Sequence, residues 1–246
     1  KNSSMTTPAT AIAIFKMKDE NEKFHKKKGY MFDMPFRIAV IGRSQLSGKT
    51  NVIGNMLLQN DERLYKSEFE GYNIYIFSPS AKTDSKLKTI ITEKDIPSEN
   101  VFLDFDEDNI EALYELLKDD YNDKILKKER PEPKLFYFDD MSAGGDLKKR
   151  MNGIIAKIAC NGRHIGLNSL FTAQKYSDLP TVVRENLSGG IFFSGTDRQL
   201  EMISDDHNIF DKKQFKTMYR SVTNKPHSFL VVNYSNATED RYMNNE

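Results

Sequence analysis

Residues 42–50 read GRSQLSGKT and end in the Gly-Lys-Thr triplet that closes a phosphate-binding P-loop. Backbone N–H groups of such a loop wrap the phosphates of a nucleotide, and the helix that follows adds the positive end of its dipole. Lys49 would then reach the β- and γ-phosphates, and the hydroxyl of Thr50 would bind Mg²⁺. Gly42 lies one position earlier than the usual first glycine of the motif, so we expect an additional residue to bulge within residues 43–47. The predicted nucleotide-binding residues are Gly42, Ser47, Gly48, Lys49, Thr50 and Asn51.

A pair of carboxylates follows an apolar run later in the chain, in LFYFDD at residues 135–140. Asp139 would emerge at the carboxyl end of a buried strand, where α/β sheets place their ligands, and would hold the Mg²⁺ through water. Asp140 is then a candidate general base that orients or deprotonates the attacking water. Two acids can also simply cap a strand and start a turn. The P-loop upstream favours the catalytic interpretation.

Gln174 ends the next apolar segment, residues 167–174. An amide at the tip of a central strand could contact the γ-phosphate or the attacking water, or it could simply open a surface loop; the spacing leaves both interpretations open. Arg163 and Arg184 are further catalytic candidates, because an arginine from a neighbouring subunit can neutralise the charge that builds on the γ-phosphate during transfer. The alternative for each arginine is a solvated surface position.

The elements around these residues are those that the chemistry requires. FRIAVIG at residues 36–42 is a continuously apolar run that predicts a strand buried on both faces, and residues 49–59 carry apolar positions at helical spacing. Residues 118–133 are polar and charged and are predicted to form a surface connection. Further strands are predicted at 72–79, 100–106, 134–141, 165–174, 189–195 and 228–234, and further helices at 106–119, 146–163, 197–204 and 211–220. This alternation predicts an α/β domain with a largely parallel sheet.

Composition limits the alternatives. The chain has 246 residues and is predicted to form a charged N-terminal arm, residues 1–30, followed by a single P-loop ATPase domain, residues 31–246. One cysteine, Cys160, excludes an internal disulfide and a cysteine-cluster metal site. No apolar run approaches the roughly 18 residues that a membrane span needs. Lys and Arg together number 36, as do Asp and Glu, so net charge favours no partner, although a locally basic groove could still bind nucleic acid.

One local pattern is misleading. NLSGG at residues 186–190 is similar to the signature loop of ABC transporters, but it follows Asp139 and runs directly into a predicted strand, so we interpret it as a turn. His164 is expected to pack or form hydrogen bonds. The other histidines show no metal-ligand spacing: His25, His207 and His227.

The segments GRSQLSGKT, LFYFDDM, GRHIGLNSLFTAQ and LPTVVRENL, in this order, resemble the poxvirus-type DNA-packaging ATPases of large double-stranded DNA viruses, a branch of the FtsK–HerA superfamily. The resemblance spans roughly residues 36–235. The P-loop is shared by very many proteins. More specific is Arg-His before a strand that ends in Gln, followed by Leu-Pro, Arg and Asn in LPTVVREN.

This resemblance implies a RecA-like P-loop NTPase fold of the additional-strand class, with a largely parallel central sheet flanked by helices. The strand that bears Gln174 would lie between the P-loop strand and the strand that ends at the acids. Lys49 and Thr50 match the Walker A motif of the family, and Gln174 matches its sensor glutamine. Asp139 and Asp140 match Walker B, where many superfamily members have Glu at the second position. Arg163 and Arg184 match arginine positions of the family, and Arg184 is preferred as the arginine that acts on a neighbour.

The implied function is ATP-driven translocation of double-stranded DNA, which packages a viral genome into a preformed capsid. The implied cofactors are ATP and Mg²⁺, and hydrolysis would occur at the subunit boundaries of a homo-oligomeric ring, a pentamer or hexamer. Capsid or vertex proteins would be further partners, in the host cytoplasm at viral assembly sites or in association with the virion. Candidate DNA contacts lie in residues 144–150, at Lys148, Lys149 and Arg150, and in residues 211–220, although segments of this kind are more often solvated helix faces.

Two other functions fit the same residues. One is a HerA-like or conjugation-type DNA translocase without a capsid, and the other is an assembly protein whose slow hydrolysis switches its oligomeric state. Acceleration of ATP turnover by duplex DNA, and its loss on Lys49→Ala, would distinguish a translocase from an assembly protein.

Overall fold

The structure is a computed structural model that describes residues 26–27, 31–44, 47–142 and 153–245. Its strands are β1 (Arg37–Ile41), β2 (Ile74–Phe77), β3 (Val101–Phe102), β4 (Lys134–Phe138), β5 (Leu167–Ala173), β6 (Gly189–Phe193), β7 (Phe229–Asn233) and β8 (Tyr242–Met243). Its α-helices are α1 (Lys49–Leu58), α2 (Ser85–Glu93), α3 (Glu107–Leu126), α4 (Ile154–Asn161), α5 (Thr181–Glu185), α6 (Asp197–His207) and α7 (Lys212–Val222).

The eight strands of the described residues form one sheet in the order β3-β2-β4-β5-β1-β6-β7-β8. The strands from β3 to β6 pair in parallel, whereas β7 and β8 are antiparallel to their neighbours. The predicted α/β class and largely parallel sheet are therefore confirmed. β5 lies between β1 and β4, as the resemblance implied.

The central strands are apolar because helices cover both faces of the sheet. Every residue of β4 and β5 is buried, as expected for parallel strands between two helical layers. One core cluster packs Ile155 of α4 and Tyr114 of α3 against one face, and the other packs Ile53 of α1 and Leu87 of α2 against the opposite face. These two layers bury the strands whose ends carry the candidate site residues.

The surface connection predicted at residues 118–133 is wrong over its first half, because α3 continues to Leu126. The helix keeps an apolar face, with Leu117 buried and Tyr121 packed against the core. Its charged face is stabilised within the structure, since Asp120 lies 3.4 Å from Lys124 one turn later and 3.0 Å from Lys134 at the start of β4. The charge density therefore reflects a half-exposed helix.

Other boundaries also differ. Helix α2 was not predicted, because its only buried residues are Leu87 and Ile90; Asp84 caps its N-terminus by accepting from the N–H groups of Lys86 and Leu87. The strand predicted at 100–106 covers only β3. The helix predicted at 146–163 is described from Ile154 onward. Its candidate DNA contacts Lys148, Lys149 and Arg150 lie outside the described residues, as does nearly all of the arm at 1–30.

No helix in the described ranges combines the length and apolar composition needed to cross a bilayer.

Candidate nucleotide-binding and catalytic site

Three of the predicted segments meet at one edge of the sheet. β1, β5 and β4 are adjacent and parallel, so the residues that follow them emerge together at their carboxyl ends. These residues are Gly42, Gln174 and Asp139. The N–H of Gly42 donates to the carbonyl of Ala173 at 3.2 Å, which fixes the start of the P-loop beside the end of β5.

The P-loop closes on itself at Gly42. The N–H and Oγ of Ser47 both donate to the carbonyl of Arg43, at 3.3 and 2.7 Å. A Cβ on Gly42 would lie 2.6 Å from the Cβ of Ser47 and 2.9 Å from the Cβ of Phe193, closer than packed atoms tolerate. The displaced glycine thus allows a close approach of the two ends of the loop. The bulge expected within 43–47 falls partly on residues 45–46, outside the described residues.

Helix α1 begins where a phosphate-binding helix should. Gly48 precedes it with φ 89°, a left-handed conformation that favours glycine, and no side chain caps the helix or places an acid in its first turn. Thr50 lies in that first turn, whereas Asn51 is exposed on the same helix. Within the part of the chain that the structure describes, no capping side chain and no acid of this turn therefore neutralises the first-turn N–H groups or the positive end of the helix dipole.

The amine of Lys49 lies at the centre of this edge. Its Nζ donates to the carbonyl of Gly42 at 2.6 Å. Burial lowers the pKa of Lys49, while the carboxylates of Asp140 and then Asp139 act in the opposite direction and raise it. The predicted lysine and both predicted acids are thus close enough to interact electrostatically.

Asp139 is buried and held by hydroxyl groups. Its Oδ2 accepts from Ser78 Oγ at 2.8 Å, and its Oδ1 accepts from Thr172 Oγ1 at 2.8 Å and from Tyr137 OH at 3.1 Å. Burial, and then the Asp139 carboxylate, raise the pKa of Tyr137 well above its ordinary value, so this hydroxyl stays protonated and donates. A buried carboxylate needs such donors. They fix its orientation at the edge of the sheet.

Asp140 turns back toward Gln174. Its φ of 51° is left-handed, a conformation that Asp adopts more readily than most residues. Its N–H donates to Thr172 Oγ1 at 2.8 Å, and Gln174 Nε2 lies 3.3 Å and 3.4 Å from its two carboxylate oxygens. The predicted general base and the predicted sensor are therefore in contact.

Sequence reasoning missed the hydroxyls that organise this cluster. Thr172 donates to Asp139 and accepts from the backbone of Asp140, so one side chain positions both acids. The only available signals were a threonine within the apolar run of β5 and a serine, Ser78, immediately after β2. Neither pattern showed that the two hydroxyls face the same carboxylate.

The two arginines lie at the opposite edge. Arg163 precedes β5 in the turn Gly162–Ile165 and is exposed. Arg184 lies in the last turn of α5, shortly before β6, and donates to Asp206 at 2.9 Å and to Thr181 at 3.2 Å. Both arginines lie at the amino ends of strands, close to Arg37 of β1. Burial lowers the pKa of Arg37, and the nearby charge of Arg163 lowers it further. Arg184 lines the same cleft as Arg37. The structure does not bring either arginine to the P-loop of its own chain.

The residues at the carboxyl edge fit the Mg²⁺ site that the P-loop and the acids after β4 predict. Among the described residues, no three His, Cys, Asp or Glu side chains form a metal cluster. Mg²⁺ in nucleotide sites is commonly bound by one or two protein oxygens together with phosphates and water. The hydroxyl of Thr50 and the oriented carboxylate of Asp139 are ligands of this type.

A family model described as Poxvirus A32 protein matches residues 21–243. The chain belongs to this family. It is accordingly a genome-packaging ATPase of the poxvirus type. No curated protein sequence matches it.

Solved structures share the fold of this family member. The genome packaging NTPase B204 from Sulfolobus turreted icosahedral virus 2, in complex with AMPPCP, superimposes with a TM-score of 0.56 at 18% identity, over 86% of this chain and 96% of that chain. The DNA-packaging ATPase B204 from Sulfolobus turreted icosahedral virus gives 0.56 at 18% identity, over 87% and 98%. EssC (ATPases 2 and 3) from Geobacillus thermodenitrificans gives 0.52 at 15% identity, over 81% and 38%. These likenesses confirm the fold.

Proposed function

We propose that this ATPase moves double-stranded DNA into a preformed viral capsid and hydrolyses ATP at the boundaries between the subunits of a homo-oligomeric ring. The observation that carries the proposal is the division of the predicted catalytic residues between two edges of one sheet. Lys49, Asp139, Asp140 and Gln174 meet at the carboxyl edge, whereas Arg163 and Arg184 lie at the amino edge. A complete site then requires the carboxyl edge of one subunit and the amino edge of another.

At the carboxyl edge, ATP would bind with its phosphates on the P-loop and the N-terminus of α1. Lys49 would exchange the Gly42 carbonyl for the β- and γ-phosphates, and Thr50 and Asp139 would hold Mg²⁺, which neutralises charge on the phosphate oxygens. Asp140 would orient and deprotonate the attacking water. Its contact with Gln174 gives that side chain a position from which to respond to loss of the γ-phosphate.

At the amino edge, an arginine would reach into the site of the neighbouring subunit and stabilise the charge of the transferred phosphoryl group. Arg184 is the arginine that the resemblance favours, but its side chain is only 15% exposed and pairs with Asp206. Arg163 is exposed. Accessibility therefore supports Arg163, whereas Arg184 could reach a neighbour only after its ion pair opens.

DNA would be held through its phosphates, because a motor that accepts a whole genome must bind without reading sequence. In the candidate segment 211–220, Lys212 lies 2.6 Å from Glu201 and Arg220 lies 2.8 Å from Asp197, so these two cations are already paired with carboxylates of α6. This supports the alternative of a solvated helix face there. The remaining proposed DNA contacts are Lys148, Lys149 and Arg150. We also propose that capsid or vertex proteins bind this ATPase and that it acts at viral assembly sites in the host cytoplasm.

The test is ATP turnover of the full chain with and without duplex DNA. We expect DNA to accelerate turnover, with a steep decrease of the effect at higher salt, and we expect Lys49→Ala to abolish turnover in both conditions. ATP-dependent assembly without any response to DNA would contradict the translocase and favour a nucleotide-switched assembly protein. DNA stimulation without dependence on capsid proteins would leave the capsid-free translocase as the alternative.

A further inference from the structure

The loop at residues 223–228 lies beside the P-loop, although the two are far apart in the sequence. It joins α7 to β7, and because β7 is antiparallel to β6, it enters the sheet at the carboxyl edge. Phe229, the first residue of β7, packs its ring 5.2 Å from that of Phe193, the last residue of β6. Phe193 is also the residue against which Gly42 packs. This loop therefore borders the P-loop on the side away from β5.

One side chain of this loop contacts the P-loop directly. The Nδ1 of His227 lies 3.3 Å from the carbonyl oxygen of Ser47. Because a carbonyl only accepts, Nδ1 must carry the proton of this hydrogen bond, whichever state the other ring nitrogen adopts. A Cβ on Gly48 would lie 3.5 Å from the same nitrogen. His227 is nevertheless exposed, so the rest of its ring faces outward beside the loop.

The backbone holds this ring in place at a conformational cost. His227 has φ 63°, a left-handed conformation that is unfavourable for a residue with a Cβ and persists where neighbouring contacts impose it. Those contacts are present. Ser228 Oγ donates to the carbonyl of Lys225 at 2.7 Å, and Thr223 Oγ1 donates to the carbonyl of Tyr219 at 2.8 Å. The loop is thus tied at both ends, and His227 is presented from its tip.

The orientation of the bound nucleotide determines which part of it lies next to the imidazole of His227. In the proposed function, Asp139, Asp140 and Gln174 attend the γ-phosphate and Mg²⁺, and they lie on the β4–β5 side of β1. The triphosphate is extended, so its α-phosphate and nucleoside must lead away from that side. The opposite side of β1 is formed by β6 and β7, where His227 is presented. We propose that His227 contacts the ribose and base of the bound nucleotide and forms a wall of the nucleoside part of the site.

This inference rests on the proposed function for the orientation of the nucleotide. A flat imidazole contributes an aromatic face that can stack on any base, and stacking is tolerant of base identity. We therefore expect His227 to increase affinity for nucleoside triphosphates as a class and to discriminate little between ATP and GTP.

The test separates the nucleoside contact from support of the P-loop. His227→Asn keeps a short amide donor for the Ser47 carbonyl and tolerates a left-handed backbone, but it lacks the ring. His227→Gly also accepts this backbone and removes both functions. The ligands are ATP and inorganic tripolyphosphate, measured by calorimetry on the full chain. His164→Asn, which removes an exposed histidine at the amino edge, is the matched control.

We expect both His227 variants to bind ATP about tenfold more weakly, the size of one lost stacking contact. Tripolyphosphate affinity should stay within about twofold for His227→Asn, and in hydrolysis KM for ATP should rise while kcat holds. Equal losses for ATP and tripolyphosphate in His227→Asn would assign the residue to P-loop geometry instead, and unchanged ATP affinity in both variants would overturn the proposal. A wild-type chain that binds ATP without any DNA response would contradict the motor while leaving this result interpretable.

Discussion

Single hydroxyl groups position the acids at the carboxyl edge. Thr172 matters most, because its Oγ1 donates to Asp139 and accepts from the N–H of Asp140. The Mg²⁺ ligand and the general base of the proposed mechanism therefore share one anchor. A shift of this side chain would move both carboxylates relative to the phosphates.

Thr172→Val tests this arrangement, since valine keeps the shape and removes the hydroxyl. Loss of a buried hydrogen bond to a carboxylate should lower the free energy of unfolding by about 1–3 kcal/mol and slow ATP hydrolysis by roughly tenfold or more. Thermal unfolding and single-turnover hydrolysis measure the two effects. Ser169→Ala is the control, because the Ser169 hydroxyl, in the same strand, is buried and has no hydrogen-bond partner within the described part of the chain. An equal loss of hydrolysis in both variants would refute the special role of Thr172.

At the scale of elements, the P-loop depends on the close contact between the end of β1 and the start of α1. The Ser47 hydroxyl folds back onto the Arg43 carbonyl, and Gly42 leaves the space for it. A first glycine one position early is therefore compatible with a closed loop.

Gly42→Ala should disrupt this contact. The added Cβ would lie 2.6 Å from Ser47 Cβ and 2.9 Å from Phe193 Cβ, so the loop must shift away from β6. We expect ATP affinity to fall about tenfold and the free energy of unfolding to fall by about 1–3 kcal/mol. Gly54→Ala in α1 is the matched control, because its Cβ would meet only Ile90 at 3.7 Å and alanine favours a helix. Unchanged ATP binding in Gly42→Ala would show that the loop has room that the structure does not indicate.

A second set of contacts links elements on the far side of the sheet. His207, at the end of α6, lies 2.8 Å from Tyr176 OH through Nε2 and 2.5 Å from Tyr234 OH through Nδ1. Burial lowers the pKa of His207 to about 4, opposed by Asp206 and assisted by Arg184. The native state therefore holds this imidazole neutral between two tyrosines.

The sign of the resulting pH dependence follows from linkage. Between the ordinary pKa of 6.5 and about 4, the unfolded chain binds a proton that the native chain does not, so stability falls as the pH falls through this window. The loss from this group should reach about 3 kcal/mol at pH 4. Urea unfolding measures this decrease in the free energy of unfolding between pH 7 and pH 4. In His207→Gln, the decrease over the same pH range should be smaller by about 3 kcal/mol. An identical slope in the variant would assign the acid sensitivity to other groups.

At the scale of the whole molecule, the P-loop and the candidate arginines lie at opposite edges of the sheet. One subunit can then supply the phosphate-binding residues and its neighbour the arginine. This is a geometric requirement of the proposed mechanism, and it can be tested without imaging the ring.

Mixing inactive variants tests whether the arginine acts across a boundary. Lys49→Ala and Arg163→Ala should each be inactive alone, whereas an equal mixture should recover up to about a quarter of wild-type turnover, because random assembly pairs intact halves at that fraction of boundaries. Arg184→Ala mixed in the same way identifies which arginine reaches the neighbour. Recovery in neither mixture would contradict hydrolysis at shared boundaries.

Much of the fold was predictable, because apolar runs and helical spacing are local signals. The predictions for β1, β4, β5 and the helix after the P-loop agree with the structure within a few residues. The second half of α3 was missed, because its charges are satisfied by Lys134 and by its own helix turns. Helix α2 was missed because its two buried residues, Leu87 and Ile90, give too weak a helical periodicity of apolar positions.

The sequence by itself determined the P-loop and the acids at the end of an apolar strand, and its family motifs determined the class of enzyme. Only the tertiary structure decided that Thr172 anchors both acids, that His227 lies against Ser47, and that the two arginines lie at the other edge. The physical reason is the order of the strands, which brings together residues as distant as Ser47 and His227, separated by 180 positions. Local spacing carries no information about the order of the strands, because that order arises from the packing of the whole sheet between its two helical layers.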